Sequence, residues 1–460
     1  MRVLFTSIKK RPVFYGWWLA ITALFVNALL STPLYGAAGL WVNALEEEFG
    51  WTRTQLTVAF SLGQLEGSIM SPIVGYIIDK IGGKKLATLG FIITAIGFIC
   101  LTQVTPITDS RTEWSDPLLF YAAYMIITMG VSMGGWIPMT VIVNNWYEKK
   151  RSLALSMGSV GFSIGTFLIV PFMAIVIKPE NLGWRATAIV CAIVFLLIAP
   201  AIWKLIINRP EDIGEVPDGN SSAKTMPYSD ENDKAPVTNE TSFTLKEALM
   251  SNAFWILALG HGSSVLLTST MMIHLILALK AQGVPLEQAA MVWGITMGIG
   301  GLAKLIGGFV GDHVSKKVAA CVFGCLQAIG VAFAGFVDSL VLAVVFAVVY
   351  GFGYGARAPV TMAMRGEYFA GRSFGKIMGI SAVPMTFFSM IAPIVAGVFF
   401  DRSGNYLTAF FLIAATGFAG SLIFLLAKKP VHPSMAQNRI CLLYTSDAAD
   451  ERSSVDLGGR

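Results

Sequence analysis

The chain has 460 residues, 55% of them hydrophobic and only 13% charged, where an ordinary soluble domain carries about 25% charged residues. That much apolar surface cannot be hidden in water without large exposed patches, so lipid is the natural solvent. The net charge of +5 is modest, and the lysines and arginines lie between apolar runs instead of on one basic face, which argues against a nucleic-acid partner.

A run of roughly 20 apolar residues crosses the hydrocarbon core, and longer runs cross it tilted. Twelve such runs are read, near 14–43, 53–79, 86–105, 117–146, 151–177, 184–207, 250–280, 286–312, 317–338, 340–366, 373–400 and 405–427. The first follows the basic stretch Arg2, Lys9, Lys10 and Arg11 and is too long for a signal peptide. Prolines 33, 72, 138, 171, 359, 384 and 393 interrupt the runs, which membrane helices tolerate because neighbours re-satisfy the freed backbone. Cys100, Cys191, Cys321 and Cys325 lie within the runs at no metal-like spacing and read as small buried side chains.

Loop charge orients the chain. Arg2 to Arg11, Lys80, Lys84, Lys85, Lys149, Lys150, Arg151, Lys316, Lys317, Arg365, Arg372, Lys376, Lys428 and Lys429 fall on one side. Arg53, Arg111, Lys178, Arg185, Lys280 and Arg402 fall on the other, so basic residues divide seventeen to six and both termini are expected in the cytoplasm. The domain reading is a first bundle over 1–207, a polar linker over 208–249, a second bundle over 250–428 and a tail over 429–460. Most of the linker is expected to be disordered, with FTLKEALMS at 243–251 as a short amphipathic surface helix. Its sequons at Asn220 and Asn239 would face the cytoplasm and stay unmodified. From about Arg439 the tail is out of character with the rest, is read as non-native, and is left out of the fold reading.

The two halves repeat. GYIIDKIGGKK at 75–85 and GFVGDHVSKK at 308–317 align Gly75 and Asp79 with Gly308 and Asp312, each pair followed by two lysines. RSLALSMG at 151–158 aligns with RSFGKIMG at 372–379. Two matches in the same order make the chain a tandem duplication, hence an all-α membrane protein of six plus six helices.

The loop Gly75-x-x-x-Asp79-Lys-x-Gly-Gly-Lys84-Lys85 closely resembles the signature between helices two and three of the major facilitator superfamily. FYGWW at 14–18, EEEFGWTRTQL at 46–56, RPEDIG at 209–214 and YGFGYGARAP with EYFAGRSFGKIMG resemble its monocarboxylate transporter and oxalate/formate antiporter branch, over about 12–430. The resemblance implies two pseudo-symmetric six-helix bundles. It also implies that Gly75, Asp79, Lys84 and Lys85, with Gly308 and Asp312 as counterparts, latch the halves on the cytoplasmic face. A cavity lined by spans one, four, seven and ten is the third implication.

Charges inside the spans point to the chemistry, because a charge in the bilayer core normally faces a cavity or a partner. Lys304 lies roughly 12 Å, Arg357 roughly 14 Å and Glu66 roughly 20 Å from the cytoplasmic helix ends, with His261 as deep as Arg357. The resemblance puts Arg357 and His261 on the path and Lys304 where relatives carry an arginine that meets the substrate carboxylate. Lysine keeps that charge but loses the planar fork. The expected substrate is a small organic anion, with Asn27 and Tyr35 offering neutral hydrogen bonds. Glu66 is the candidate proton-coupling carboxyl, and His261 and His274 compete for that role. A fixed pair of Glu66 with Arg357 or Lys304 is the structural alternative. The glycines 294, 298, 301 and 308 on span eight and 158, 161 and 165 on span five read as close-packing, sliding surfaces. Methionines 125, 129, 133 and 139 read as packing.

The leading expectation is a monomeric secondary carrier of monocarboxylate-like anions in the plasma or inner membrane, by proton symport or anion exchange. A carrier of neutral or cationic solutes or drugs, and a receptor on a transporter scaffold, are the alternatives. No nucleotide loop, metal cluster or nucleophile–base pair stands out, so no enzyme activity and no cofactor are expected.

Overall fold

The computed structural model describes residues 14–105, 116–147, 150–219, 243–369 and 374–430. The basic amino-terminal stretch, Arg111, Lys149, Arg372, both sequons and the tail from Arg439 lie outside them. Twelve long helical segments run through the described residues. The first half holds α1 (Tyr15–Phe49), α2 (Arg53–Ile81), α3 (Gly83–Thr102), α4 (Leu118–Trp146), α5 (Arg151–Val176) and α6 (Gly183–Leu205). The second holds α7 (Asn252–Ala281), α8 (Leu286–His313), α9 (Lys316–Ala334), α10 (Leu340–Phe369), α11 (Phe374–Ser403) and α12 (Leu407–Leu422). Eleven segments are long and apolar enough to cross a membrane. The remaining one, α2, carries Gln55, Gln64 and Glu66, yet its 29 residues still reach roughly 44 Å.

Local signals set the helix boundaries. Gly50 ends α1 in the left-handed region at φ 68°, where a side chain would be strained. Two residues later Thr52 and Gln55 form a reciprocal capping box that opens α2. Between these ends, α1 is interrupted by a π-helical turn at Thr32–Gly36 that begins beside Pro33. Indole N–H groups meet carbonyls of that turn: Trp41 donates to the Pro33 oxygen at 2.7 Å and Trp293 of α8 to the Gly36 oxygen at 2.9 Å.

The packing repeats every six helices. Pairs α1–α5, α2–α4, α3–α4 and α3–α6 recur as α7–α11, α8–α10, α9–α10 and α9–α12, and α5–α8 and α2–α11 join the halves. Glycine allows these approaches. A Cβ on Gly355 or Gly307 of the α8–α10 pair would overlap the carbonyl oxygens of Gly300 or Ala356. The expected sliding surfaces resolve into two different contacts. Gly294, Gly298 and Gly301 of α8 face Phe167 and Ser163 of α5 across the halves, whereas Gly161 and Gly165 of α5 pack on α1.

The linker begins in ordered form. Asn208 accepts from the Lys84 amide at 2.9 Å, the Ile207 carbonyl from Trp146 at 3.0 Å, and the Leu205 carbonyl from the Tyr15 hydroxyl at 2.8 Å. The expectation of disorder therefore does not hold for 208–219, and 220–242 lie outside the described residues. The expected surface helix is present as Leu245–Met250, opened by a Thr244–Glu247 capping box.

Candidate functional site

A cavity of about 220 Å³ is lined mainly by α7 and α10 of the second half, with Ser389 of α11 and, from the first half, Gln64 of α2. His261, Ser264 and Thr268 of α7 and Tyr354, Arg357 and Thr361 of α10 give it polar groups. Two of the four spans implied by the family resemblance thus line it, and α2 and α11 take the place of α1 and α4.

Arg357 is 1% exposed. Its Nη2 donates to the Gly260 carbonyl, its Nη1 lies 3.5 Å from the Ser421 hydroxyl, and its Nε is buried with no partner. The Phe424 ring lies 5.2 Å from Cζ. All these partners are neutral. The His261 ring carries a buried Nδ1 that also has no partner. Gln327 of α9, fully buried, orients the cavity wall by accepting from Ser264 at 2.8 Å and donating to Thr268 at 3.0 Å. One glutamine in an apolar run gave no sequence signal for that role.

Lys304 stands beside this cavity and not in its lining. Its ammonium reaches the Ser159 carbonyl and the Ser163 hydroxyl of α5, each at 3.3 Å, and lies 5.9 Å from the Tyr354 ring. It therefore bridges the halves through neutral oxygens. Among the described residues the ion pairs are Arg53–Glu46, Lys178–Glu287, Arg185–Glu48, Lys280–Glu47 and Lys316–Glu367. The alternative of a fixed Glu66–Arg357 or Glu66–Lys304 pair has no counterpart there.

Glu66 belongs to a cluster within the first half. Both carboxylate oxygens are buried with the Thr128 side chain within reach, and the Tyr124 hydroxyl is buried without a hydrogen-bond partner. Tyr35 and Tyr124 lie within electrostatic reach of the carboxylate. Tyr35 is thus brought to Glu66 and not to Arg357. Asn27 is spent on its own helix, donating to the Ala23 carbonyl at 2.9 Å, beside a small separate cleft with Trp136 and Gly158.

His274 is not among the residues that line the central cavity. It is fully buried, with Nδ1 2.9 Å from the Tyr406 hydroxyl and Nε2 2.9 Å from the Pro393 carbonyl. Tyr406 accepts from Arg53 at 2.9 Å, and Asp401 accepts the amides of Arg53 at 3.2 Å and Thr54 at 2.9 Å. An acidic side chain of α11 thus caps the first turn of α2 across the halves, where free N–H groups and the helix dipole favour a negative charge. Lys280–Glu47 and Lys178–Glu287 tie the same end.

At the other end the loop motif is open. A Cβ on Gly75 or Gly308 would meet nothing within 4 Å, and Asp79 and Asp312 are exposed. The tight helix packing expected of these glycines is absent in this conformation. Lys84 turns to the Trp203 ring, 4.9 Å away, and Lys85 faces outward. Arg365, read from sequence as a loop charge, is instead a buried residue of α10.

With this geometry in place, comparison with known proteins is informative. A sequence profile of the Major Facilitator Superfamily matches residues 20–356 and 300–440. The chain is 23% identical over 419 residues to the oxalate:formate antiporter of Oxalobacter formigenes, covering 87% of this chain and 89% of that one. It is 22% identical over 450 residues to monocarboxylate transporter 12 of Xenopus laevis, covering 92% and 91%. Among solved structures, a bacterial homologue of the human lysosomal transporter Spinster, inward-facing and occupied, superimposes with a TM-score of 0.65 at 13% identity, covering 91% of this chain and 96% of that one.

Proposed function

The chain belongs to the major facilitator superfamily and is an integral membrane transport protein, not an enzyme; from that premise we propose that it carries a small organic anion of the monocarboxylate type by alternating access. The carrying observation is Arg357, a buried cation on the central cavity whose partners are all neutral. A permanent structural cation would be neutralised by a carboxylate of the protein, because an uncompensated buried charge costs several kcal/mol. An arginine left uncompensated beside a cavity fits a counter-ion that arrives as substrate, gripped by the planar guanidinium fork. His261, Ser264, Thr268 and Thr361 supply further hydrogen-bonding groups around it, and Lys304 adds positive potential from the α5–α8 contact.

Glu66 supports proton symport as the coupling mode: it is a carboxyl within the span of α2 whose oxygens are buried and enter no ion pair among the described residues, as a proton-carrying group of the path would be. Anion exchange is the second reading, favoured by the likeness to the oxalate:formate antiporter. The excess of basic residues at the loop-motif end assigns that end and both termini to the cytoplasm of an inner or plasma membrane. The conformation, tied at the opposite end, is then inward-open. The working unit is a monomer, since the cavity is complete within one chain.

Uptake of labelled formate, oxalate and lactate into proteoliposomes, with and without a pH gradient, tests this reading. Transport of at least one acid by wild type and its loss in Arg357→Gln are expected. Equal uptake by the two proteins would overturn it.

A further inference from the structure

Arg365 is a buried cation that the central cavity does not use. It lies eight residues beyond Arg357 on α10, roughly 12 Å along the helix axis. Thr361, 2% exposed and lining the cavity, sits midway, so Arg357, Thr361 and Arg365 follow one another at four-residue intervals along one face. Arg365 is itself 5% exposed. Its hydrogen-bond partner is the Met385 sulfur at 3.3 Å, a weak acceptor, and none of the ion pairs among the described residues includes it. Its neighbour Glu367 pairs with Lys316 instead, at 3.2 Å.

The walls around Arg365 are apolar: Phe254 and Leu257 of α7, Phe369 of α10 and Ile377 of α11, with Ser381 adding one hydroxyl. In such surroundings a guanidinium attracts an anion far more strongly than in water. The slot is nearly closed, holding about 10 Å³ in this conformation. His261 of α7 lines the central cavity together with Arg357 and Thr361, and Phe254 and Leu257 of the same helix wall the slot around Arg365.

Resting on the anion-carrier reading above, we propose that Arg365 forms a second anion subsite. A carboxylate leaving Arg357 toward the loop-motif end is received there before release. The arrangement explains why α10 keeps two cations on one face without giving either a carboxylate. A route with a second favourable stop spares the anion a single crossing of apolar wall.

The test uses the full-length protein in proteoliposomes, with half-saturation for labelled oxalate and formate measured separately from each face. Arg365→Gln is expected to raise half-saturation at least tenfold from the loop-motif face and less than twofold from the opposite face. Equilibrium binding of oxalate to the purified protein is expected to persist. Arg365→Lys, which keeps the charge and loses the contact geometry with Met385, is expected to restore most of the loss. Unchanged values in Arg365→Gln, or an equal rise at both faces that Arg365→Lys does not repair, would overturn the proposal while leaving the central site standing. Wild-type vesicles that move none of oxalate, formate and lactate, together with purified protein that binds none of them, would overturn the anion reading itself and the second subsite with it.

Discussion

The Arg357 guanidinium and the carboxyl oxygens of Glu66 are both buried without an ionic partner among the described residues, yet they sit in different halves and answer to different needs. Around Arg357 the oxygens of Gly260 and Ser421 relieve part of the desolvation cost, and the rest is left for a ligand. Two measurable consequences pull in opposite directions. Arg357→Met removes an uncompensated cation from an apolar setting, so its melting temperature should equal or exceed that of wild type. Transport should meanwhile fall about 10- to 100-fold, the worth of one charge-assisted hydrogen bond. A variant that melts well below wild type would mean that Arg357 is chiefly a structural tie. For Glu66 the expected phenotype is selective. Glu66→Gln should lose accumulation driven by a pH gradient and keep exchange of labelled for unlabelled substrate; intact gradient-driven accumulation would remove it from proton coupling. The cluster of Glu66 with Tyr35 and Tyr124 was not legible in sequence, because those residues are far apart along the chain and meet only where α1, α2 and α4 pack.

Helix by helix, apolar run length carried most of the information, and the exact ends came from the structure. The end of α1 follows from the positive φ of Gly50, and the Thr52–Gln55 and Thr244–Glu247 caps from side-chain hydrogen bonds within four residues. Arg365 shows where such local signals stop. It stands one residue before Gly366 at the edge of an apolar run, and hydropathy reads such a position as a loop charge. In the structure α10 continues to Phe369 and buries it, because α7 and α11 supply the missing wall. His274 is a similar case: its partner Tyr406 lies 132 residues away. Glycines divide the same way. Gly355 touches the Gly300 backbone, so Gly355→Ala should lower the yield of folded protein. A Cβ on Gly75 or Gly308 would meet nothing within 4 Å here. Gly75→Ala and Gly308→Ala should therefore fold and melt like wild type, while slowing transport severalfold if these surfaces close in the other half of the cycle. Normal transport in both would remove the loop motif from gating.

On the scale of the molecule, the ties between halves are unevenly placed. Asp401 with Arg53 and Thr54, Lys280 with Glu47, Lys178 with Glu287, and Trp293 with the Gly36 carbonyl all lie toward one end. Among the described residues the hydrogen bonds that join the halves nearer Gly75 and Gly308 are Ser68 with Thr386 at 2.8 Å and Lys304 with Ser159 and Ser163 at 3.3 Å each, and no ion pair joins them there. A carrier must exchange one set of ties for another, and the six-helix periodicity of packing gives two bodies that can do so around a fixed cavity. That periodicity was legible in the loop repeats at 75–85 and 308–317, whereas the conformation was not, since a sequence encodes both ends of the cycle. We propose that the cavity recognises a carboxylate through Arg357. Equilibrium binding by the purified protein, comparing formate with formamide and lactate with lactamide, tests it most directly. The acids should bind, the amides of nearly the same shape should not, and Arg357→Gln should abolish the difference. Amides bound as tightly as acids, or acids bound undiminished by Arg357→Gln, would contradict it.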